Sequence, residues 1–143
     1  MKVSRNFVLQ EFVPPTIWRK YKEKSIMFLD TRVIDIAQAV RELFDEPIVI
    51  NGRVLGKTYK NSGYRTPQCS EGAYYSQHKF GRAIDLKFKS MPDYDEVRKV
   101  IRANFYLLSA HGLTAMELGT DGWLHLDCRW SLTPDKLIEL PKW

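Results

Sequence analysis

Two short segments of the sequence alternate between apolar and polar residues, and this pattern constrains the fold more than any other feature. They are residues 83–88 and residues 123–128. Successive side chains of a β-strand point to opposite faces of the sheet, so each segment predicts a strand with one apolar face for the core. The opposite face carries Asp85 in the first strand and His125 with Asp127 in the second. Both strands therefore present polar side chains on one sheet face and bury the other.

Apolar residues recur at helical spacing elsewhere in the chain. A helix is predicted after Asp30, a residue type that is favoured at the N-cap, and Pro47 closes it. Another helix is predicted from Asp93 to about His111, with Gly112 as its natural end. A shorter helix is expected directly after the double proline near the N-terminus.

The remaining segments predict strands and one long loop. Residues 48–50 are β-branched and precede an Asn-Gly turn signal, which favours a strand. Residues 57–75 are rich in polar and turn-forming residues and predict a long loop, a feature that is often functional. Residues 114–128 are typical of a hairpin with a four-residue loop. The order of elements predicts an α+β fold, with a small, mostly antiparallel sheet and helices packed on one face, in a single domain over residues 1–143.

Length and charge restrict the function. The chain has 143 residues, enough for one domain with a substantial core and too few for two. Its net charge of +5 favours an anionic partner, such as a cell-wall polymer or nucleic acid, without choosing between them. The basic residues are spread out apart from a modest cluster within residues 19–24, whereas a dedicated nucleic-acid binder shows a denser patch. A small basic nucleic-acid binder is therefore the weakest hypothesis.

The apolar and sulphur-containing residues bear on location and packing. No apolar stretch is long enough to span a membrane, and the N-terminus lacks the apolar core of a secretory signal, so we expect the chain to be cytoplasmic at synthesis. Cys69 and Cys128 are expected to be free thiols. Trp18, Trp130 and Trp143 are expected to pack in the core or at its edge.

Three side chains form a candidate metal site. His78 and Asp85 lie seven residues apart, and His125 follows on the second alternating strand. Imidazole and carboxylate groups are good zinc ligands, and three protein ligands with an open fourth position are the catalytic arrangement. Cys128 points to the opposite face of its strand, which argues against it as a ligand. On spacing alone, surface or hydrogen-bonded histidines remain the commoner outcome.

The residues around these candidates carry a more specific pattern. Residues 76–85 read Ser-x-His-x-x-Gly-x-Ala-x-Asp, and residues 123–127 read Trp-x-His-x-Asp. Residues 62–65 read Ser-Gly-Tyr-Arg. Together the three ordered motifs resemble the zinc D-Ala-D-Ala carboxypeptidase family, whose fold is shared with the hedgehog signalling domain. The resemblance covers about residues 7–130.

The resemblance implies a fold, a cofactor and an activity. It implies a hedgehog- and DD-peptidase-like architecture, zinc held by His78, Asp85 and His125, and cleavage of a peptide bond in peptidoglycan stem peptides. The short cell-wall-lytic peptidases of phages and bacteria are the most similar members, so an endolysin-like carboxypeptidase or endopeptidase is expected. It would act at the cell wall or periplasm after holin-type or other signal-independent release. We expect a monomer with no nucleic-acid or membrane partner.

One departure from the family pattern concerns the general base. Many members carry a glutamate three residues before the last histidine, and here that position is Gly122. Hedgehog-type members carry a glutamate on the strand before the histidine strand, which corresponds to Glu117. We therefore favour Glu117 as the base, with Asp121 in the hairpin turn as the alternative. If neither acts, the domain is a catalytically silent, zinc-stabilised binding module of the same fold.

Three further residues have two interpretations each. Arg65 could bind the substrate carboxylate or the developing oxyanion, or it could form a salt bridge within the loop. Ser76 resembles a family position that lines the substrate cleft, and it could equally cap a local turn. Asp127 could orient a zinc-bound histidine, or it could be solvated.

Overall fold

The computed structural model describes residues 1–141, which contain four α-helices and seven β-strands. The helices are α1 (Pro15–Tyr21), α2 (Arg32–Phe44), α3 (Tyr94–Ala103) and α4 (Phe105–Ser109). The strands are β1 (Ile48–Val49), β2 (Gly52–Val54), β3 (Lys57–Tyr59), β4 (Ala83–Phe88), β5 (Ala115–Glu117), β6 (Leu124–Asp127) and β7 (Ile138–Leu140). Short 3-10 helices cover Leu9–Glu11, Lys22–Phe28 and Gln77–Phe80.

The main sheet has five strands in the order β1-β4-β6-β5-β7. Three of its pairings are antiparallel, and β7 alone runs parallel to its neighbour β5. The strands β2 and β3 form a separate antiparallel hairpin. The predicted α+β fold with a small, mostly antiparallel sheet is confirmed, and β4 covers the six predicted residues.

The core lies between the helices and the apolar face of the main sheet. Helix α2 packs against β4, and α3 packs against β6. The inward side chains of these elements are fully buried, and they include Ile36, Val40, Ile84, Leu86, Leu124 and Leu126. Burial of this apolar surface is the main source of stability for the sheet. The alternation in the two strand segments therefore identified the core face correctly.

The polar face of β4 is also covered, because part of the long loop lies along it. The carbonyl oxygen of Ser62 accepts a hydrogen bond from the Asp85 N–H at 2.7 Å, and the Ser62 hydroxyl accepts one from Lys87 Nζ at 2.6 Å. All six residues of β4 are consequently buried. This buried polar face is where the site is built.

Two helix starts follow the predicted capping. The Asp30 carboxylate accepts a hydrogen bond from the Arg32 N–H, and that of Asp93 accepts one from the Asp95 N–H. The prediction of one continuous helix from Asp93 to His111 is wrong, because the helix breaks at Asn104. Both the N–H and the side chain of Asn104 donate to the carbonyl of Val100, but its backbone leaves the helical conformation at φ −110° and ψ 18°, and the chain restarts as α4.

The predicted loop over residues 57–75 is wrong at its start, where β3 occupies residues 57–59. The turn between β2 and β3 places Leu55 at φ 47° and Gly56 at φ 81°. Tight hairpin turns with two positive φ values usually carry Asn-Gly or Asp-Gly, so the sequence Leu-Gly gave no hairpin signal. Strand β7 was not predicted either.

Packing expectations for the tryptophans and the cysteines had mixed outcomes. Trp130 is 76% exposed, so its expected packing is wrong, and Trp18 is half-buried. Trp143 lies outside the described residues. Both cysteines are free thiols as expected, with Cys69 half-buried and Cys128 in the core. Within residues 1–141, no helix is both long and apolar enough to cross a membrane.

The two thiols should differ in reactivity. Burial raises the pKa of the Cys128 thiol to about 12, and the thiolate is the reactive species. We expect the native protein at about pH 8 to titrate one thiol with a disulfide reagent, and the second only in denaturant. A Cys69→Ser variant should lose the native phase. Rapid titration of both thiols in the native protein would contradict the packing of Cys128 described above.

Candidate metal centre

Three side chains from three separate elements meet on the buried polar face of the sheet. The pairing of β4 with β6 places Asp85 directly opposite His125. The third side chain, His78, comes from the short 3-10 helix before β4. All three residues are buried, with exposed fractions of 2% for His78, 7% for Asp85 and 6% for His125. Sheet register therefore brings two of them together, and the loop supplies the third.

The polar atoms of these residues converge on one point. His125 Nδ1 lies 2.9 Å from Asp85 Oδ1 and 3.3 Å from His78 Nε2. The distance between His78 Nε2 and Asp85 Oδ1 is 3.2 Å. The three predicted ligands are thus close enough together to hold one metal ion.

In each histidine ring the outer nitrogen, which is the one pointing away from the cluster, is hydrogen-bonded to an acceptor. His78 Nδ1 donates to the carbonyl oxygen of Gly63 at 2.8 Å, and His125 Nε2 donates to Asp127 Oδ2 at 3.0 Å. A neutral imidazole with its proton on the outer nitrogen has a lone pair on the inner one. Three lone-pair acceptors therefore face one another, an arrangement that needs a cation or a proton between them. The donor set of two imidazoles and one carboxylate fits zinc.

Asp127 is held in place behind His125. It is completely buried, and Arg129 binds both of its oxygens, with Nε at 2.8 Å from Oδ1 and a terminal nitrogen at 2.6 Å from Oδ2. Burial by itself would raise the pKa of Asp127, but the hydrogen bonds from Arg129 and His125 outweigh it and hold the pKa at about 2. The alternative that Asp127 is solvated is therefore wrong.

The electrostatics of the cluster favour a positive charge at its centre. Burial disfavours a charged His125, but the hydrogen bonds to Asp127 and Asp85 outweigh this and raise its pKa to about 9. Burial opposes ionisation of Asp85 too, yet the charges and hydrogen bonds of the two histidines hold its pKa well below the usual range. Burial lowers the pKa of His78. In the metal-free protein, the compensating cation is thus a proton on His125.

Arg65 and Ser76 support the cluster from the loop. Arg65 donates to Asp85 Oδ2 at 3.2 Å and to the carbonyl of Asn61 at 2.7 Å. This leaves Asp85 Oδ1 for the cluster. The Ser76 hydroxyl accepts a hydrogen bond from the His78 N–H at 3.3 Å and so caps the short helix that carries the histidine. Both residues also line the cleft described below.

The two candidate bases occupy different environments. Strand β5 pairs with β6 so that Ala115 lies opposite Asp127, and the same register places Glu117 across from His125. Glu117 Oε2 lies 3.8 Å from His125 Nδ1 and is half-buried. Asp121 is exposed in the hairpin turn and lines neither cavity of the cleft. The structure thus brings Glu117, but not Asp121, to the edge of the cluster.

Two adjoining cavities form a cleft over the cluster. The first, of about 320 Å³, is lined by His78, His125, Glu117, Ser76, Arg129 and their neighbours. The second, of about 500 Å³, is lined by Asp85, Lys87, Ser62, Tyr59, Lys57 and their neighbours. Both cavities share Arg65, Glu71 and Trp123, so they meet beside the cluster. A ligand in the cleft could therefore reach the metal position from either side.

Sequence reasoning missed three contributors to the site. Arg129 follows Asp127 by two residues, and the period-two pattern alone could have placed the two side chains near each other. Lys87 follows Asp85 by two residues and so shares its face of β4, but no feature of the sequence indicated a role for it. The carbonyl of Gly63 left no signal, because its contribution is from the backbone; a Cβ there would lie 2.3 Å from the Phe12 carbonyl oxygen, so this close approach needs glycine.

Comparison with known families agrees with this arrangement. A family model described as Peptidase M15 matches residues 10–127, a span that contains the whole cluster and Glu117. Neither a curated protein nor a solved structure shows a significant match to the chain.

Removing the carboxylate behind His125 should weaken metal binding without unfolding the domain. We expect Asp127→Asn to lower zinc affinity about 10- to 100-fold, because the ring loses the charged acceptor that fixes its orientation, and the single amide oxygen cannot serve both His125 and Arg129 as the carboxylate does. Competition with a chromogenic chelator measures the affinity, and circular dichroism checks the fold. Asp135→Asn makes the same chemical change at an exposed position and should bind zinc like the wild type. Equal affinities in the two variants would contradict this role of Asp127.

Metal binding should also release a proton. Zinc must displace the proton of His125, whose pKa is raised to about 9 in the metal-free protein. We expect release of about one proton per zinc near pH 7.5, and an apparent affinity that rises about tenfold per pH unit up to about pH 9. Calorimetry in buffers of different ionisation enthalpy measures the proton count. Zinc binding that is independent of pH over this range would contradict the proposed protonation of His125.

Proposed function

The chain belongs to the peptidase M15 family and is a metallopeptidase, and we propose that it uses zinc to hydrolyse peptide bonds in peptidoglycan stem peptides. One observation carries the proposal. Three buried acceptor atoms, His78 Nε2, Asp85 Oδ1 and His125 Nδ1, converge beside an open cleft, with both outer ring nitrogens fixed by acceptors. A site built only for stability would more simply pair each histidine with a donor or with solvent.

The chain's own residues have distinct roles in this reaction. His78, Asp85 and His125 would hold the ion, which when bound polarises the scissile carbonyl and makes an attacking water more acidic. Glu117 would accept a proton from the attacking water and deliver it to the leaving amine. Its half-buried position on a strand, 3.8 Å from His125 Nδ1, supports this choice over the exposed turn residue Asp121.

Arg65 and Ser76 would act on the substrate. Arg65 lines both cavities, and its terminal NH1 has only a long contact of 3.4 Å to the carbonyl of Glu71. This group is therefore available for the substrate carboxylate or the oxyanion. Ser76 lines the first cavity, and its hydroxyl can donate to a substrate carbonyl while it accepts from the His78 N–H.

The net charge of the chain supports a proposal for where it acts. A net charge of +5 suits an anionic cell-wall polymer. We propose an endolysin-like role in wall lysis or remodelling, as a monomer that reaches the wall or periplasm through holin-type or other signal-independent release. Many members of the family carry the catalytic glutamate at the position of Gly122, and its absence there favours one other candidate function, a zinc-stabilised binding module without catalysis.

Substitution of the Glu117 carboxylate should distinguish the peptidase from the binding module. We expect Glu117→Gln to lower kcat about 10²- to 10⁴-fold, because proton transfer is lost while the charge-free amide keeps the shape of the side chain. Release of muropeptides from purified walls, followed by mass spectrometry with and without a chelator, measures the activity and identifies the bond cut. Zinc content should stay at the wild-type level in this variant.

Two other outcomes have definite meanings. If Asp121→Asn loses activity and Glu117→Gln does not, the base is Asp121. If the zinc-loaded wild type releases nothing from any wall type, the domain is the binding module and not a peptidase.

A further inference from the structure

The second cavity of the cleft has a marked excess of positive charge. It is lined by four basic residues and two acidic ones, namely Lys57, Lys60, Arg65 and Lys87 with Glu71 and Asp85. One of the two acids, Asp85, is already bound by Arg65 and directs its other oxygen to the metal cluster. The cavity therefore has positive charge that the acidic residues lining it do not neutralise.

Lys87 is the unusual member of this group, since it is buried with no carboxylate oxygen of residues 1–141 within salt-bridge distance of its ammonium. It is 1% exposed, and its ammonium donates to the Ser62 hydroxyl at 2.6 Å and to the Asp85 carbonyl oxygen at 2.9 Å. Both acceptors are neutral, and no salt bridge of Lys87 occurs within residues 1–141. Burial of an ammonium is costly unless a negative charge compensates it.

A second ammonium lies against the same aromatic ring. Lys87 Nζ lies 4.5 Å from the centroid of the Tyr59 ring, and Lys57 Nζ lies 5.2 Å from it. The hairpin of β2 and β3 thus brings Lys57 towards the buried Lys87 of β4. Two like charges beside one ring repel each other, and a bound anion would relieve that repulsion.

We propose that the second cavity is a subsite for a substrate carboxylate, with Lys57 and Lys87 as its cationic groups and Tyr59 as the ring that both ammonium groups contact. The inference rests on the proposed function, since the cavity opens beside the metal cluster through Arg65 and Trp123. A peptide bound with its scissile bond at the cluster would extend a flanking carboxylate into this cavity. The carboxylate is either the C-terminus of the peptide or an acidic side chain next to the scissile bond.

The test compares synthetic stem peptides that differ only in which carboxylates are amidated. The three peptides carry all carboxylates free, the side-chain carboxylates amidated, or the C-terminus amidated. Calorimetry with the metal-free wild type measures binding without turnover, and we expect amidation of the recognised carboxylate to weaken binding about tenfold. The peptide that loses affinity identifies the source of the carboxylate. With zinc present, the same amidation should raise KM and leave kcat nearly unchanged.

Variants of the two lysines assign the effect to this cavity. Lys57 is exposed, so Lys57→Gln should fold normally and bind the free and amidated peptides alike. Lys87→Met keeps the length of the buried side chain and should show the same loss of discrimination, provided that circular dichroism shows a folded protein. Lys24→Gln removes one charge from an exposed position outside the cleft and should discriminate like the wild type.

The outcomes separate the subsite from the proposed function. Hydrolysis of all three peptides with equal affinity overturns the subsite and leaves the peptidase standing. Discrimination in binding without hydrolysis of any peptide supports the subsite and overturns the peptidase. If no peptide binds and none is cleaved, both are overturned. If a folded Lys57→Gln, Lys87→Met double variant still distinguishes the free peptide from the amidated ones, the carboxylate does not bind in this cavity.

Discussion

The antiparallel pairing of β4 with β6 is the constraint on which the site depends. Its register sets Asp85 opposite His125 on one face of the sheet, while the alternating apolar residues of both strands fill the core on the other. A slip of one residue would turn the acceptors into the core and the leucines into the cleft. Core burial therefore fixes the position of two candidate ligand atoms, because the same packing that stabilises the fold sets the register of the two strands.

The third ligand depends on backbone contacts of the loop. His78 is positioned by Ser76 at the start of its short helix and by the carbonyl of Gly63 at its Nδ1. Gly63 can hold that place only because the chain approaches the Phe12 carbonyl too closely for a side chain. The loop is thus ordered by many small contacts, and the convergence of three acceptors is a local electrostatic cost that a cation removes.

The sequence predicted those parts of the structure whose signal is local. The two alternating strands, the caps at Asp30 and Asp93 and the three-residue cluster needed only periodicity, residue type and motif. The break at Asn104 could not be predicted, because it depends on the non-helical backbone conformation of one residue inside an otherwise continuous helical pattern. The hairpin around Leu55 was hidden by an unusual turn residue, and the pairing of β7 with β5 depends on contacts far apart in sequence. The roles of Gly63 and Lys87 depend on tertiary contacts of the same kind.

The geometry of the hairpin bears on the choice of Glu117 as the proposed base. Gly122 lies in the turn with φ 89°, a conformation that an L-residue such as glutamate rarely adopts. A carboxylate on β5 avoids that strain, because cross-strand neighbours on one sheet face lie close together whatever the turn between them. Glu117 reaches the edge of the cluster in this way, directly across from His125. Sheet register, which positions two of the three candidate ligands, therefore also positions the candidate base.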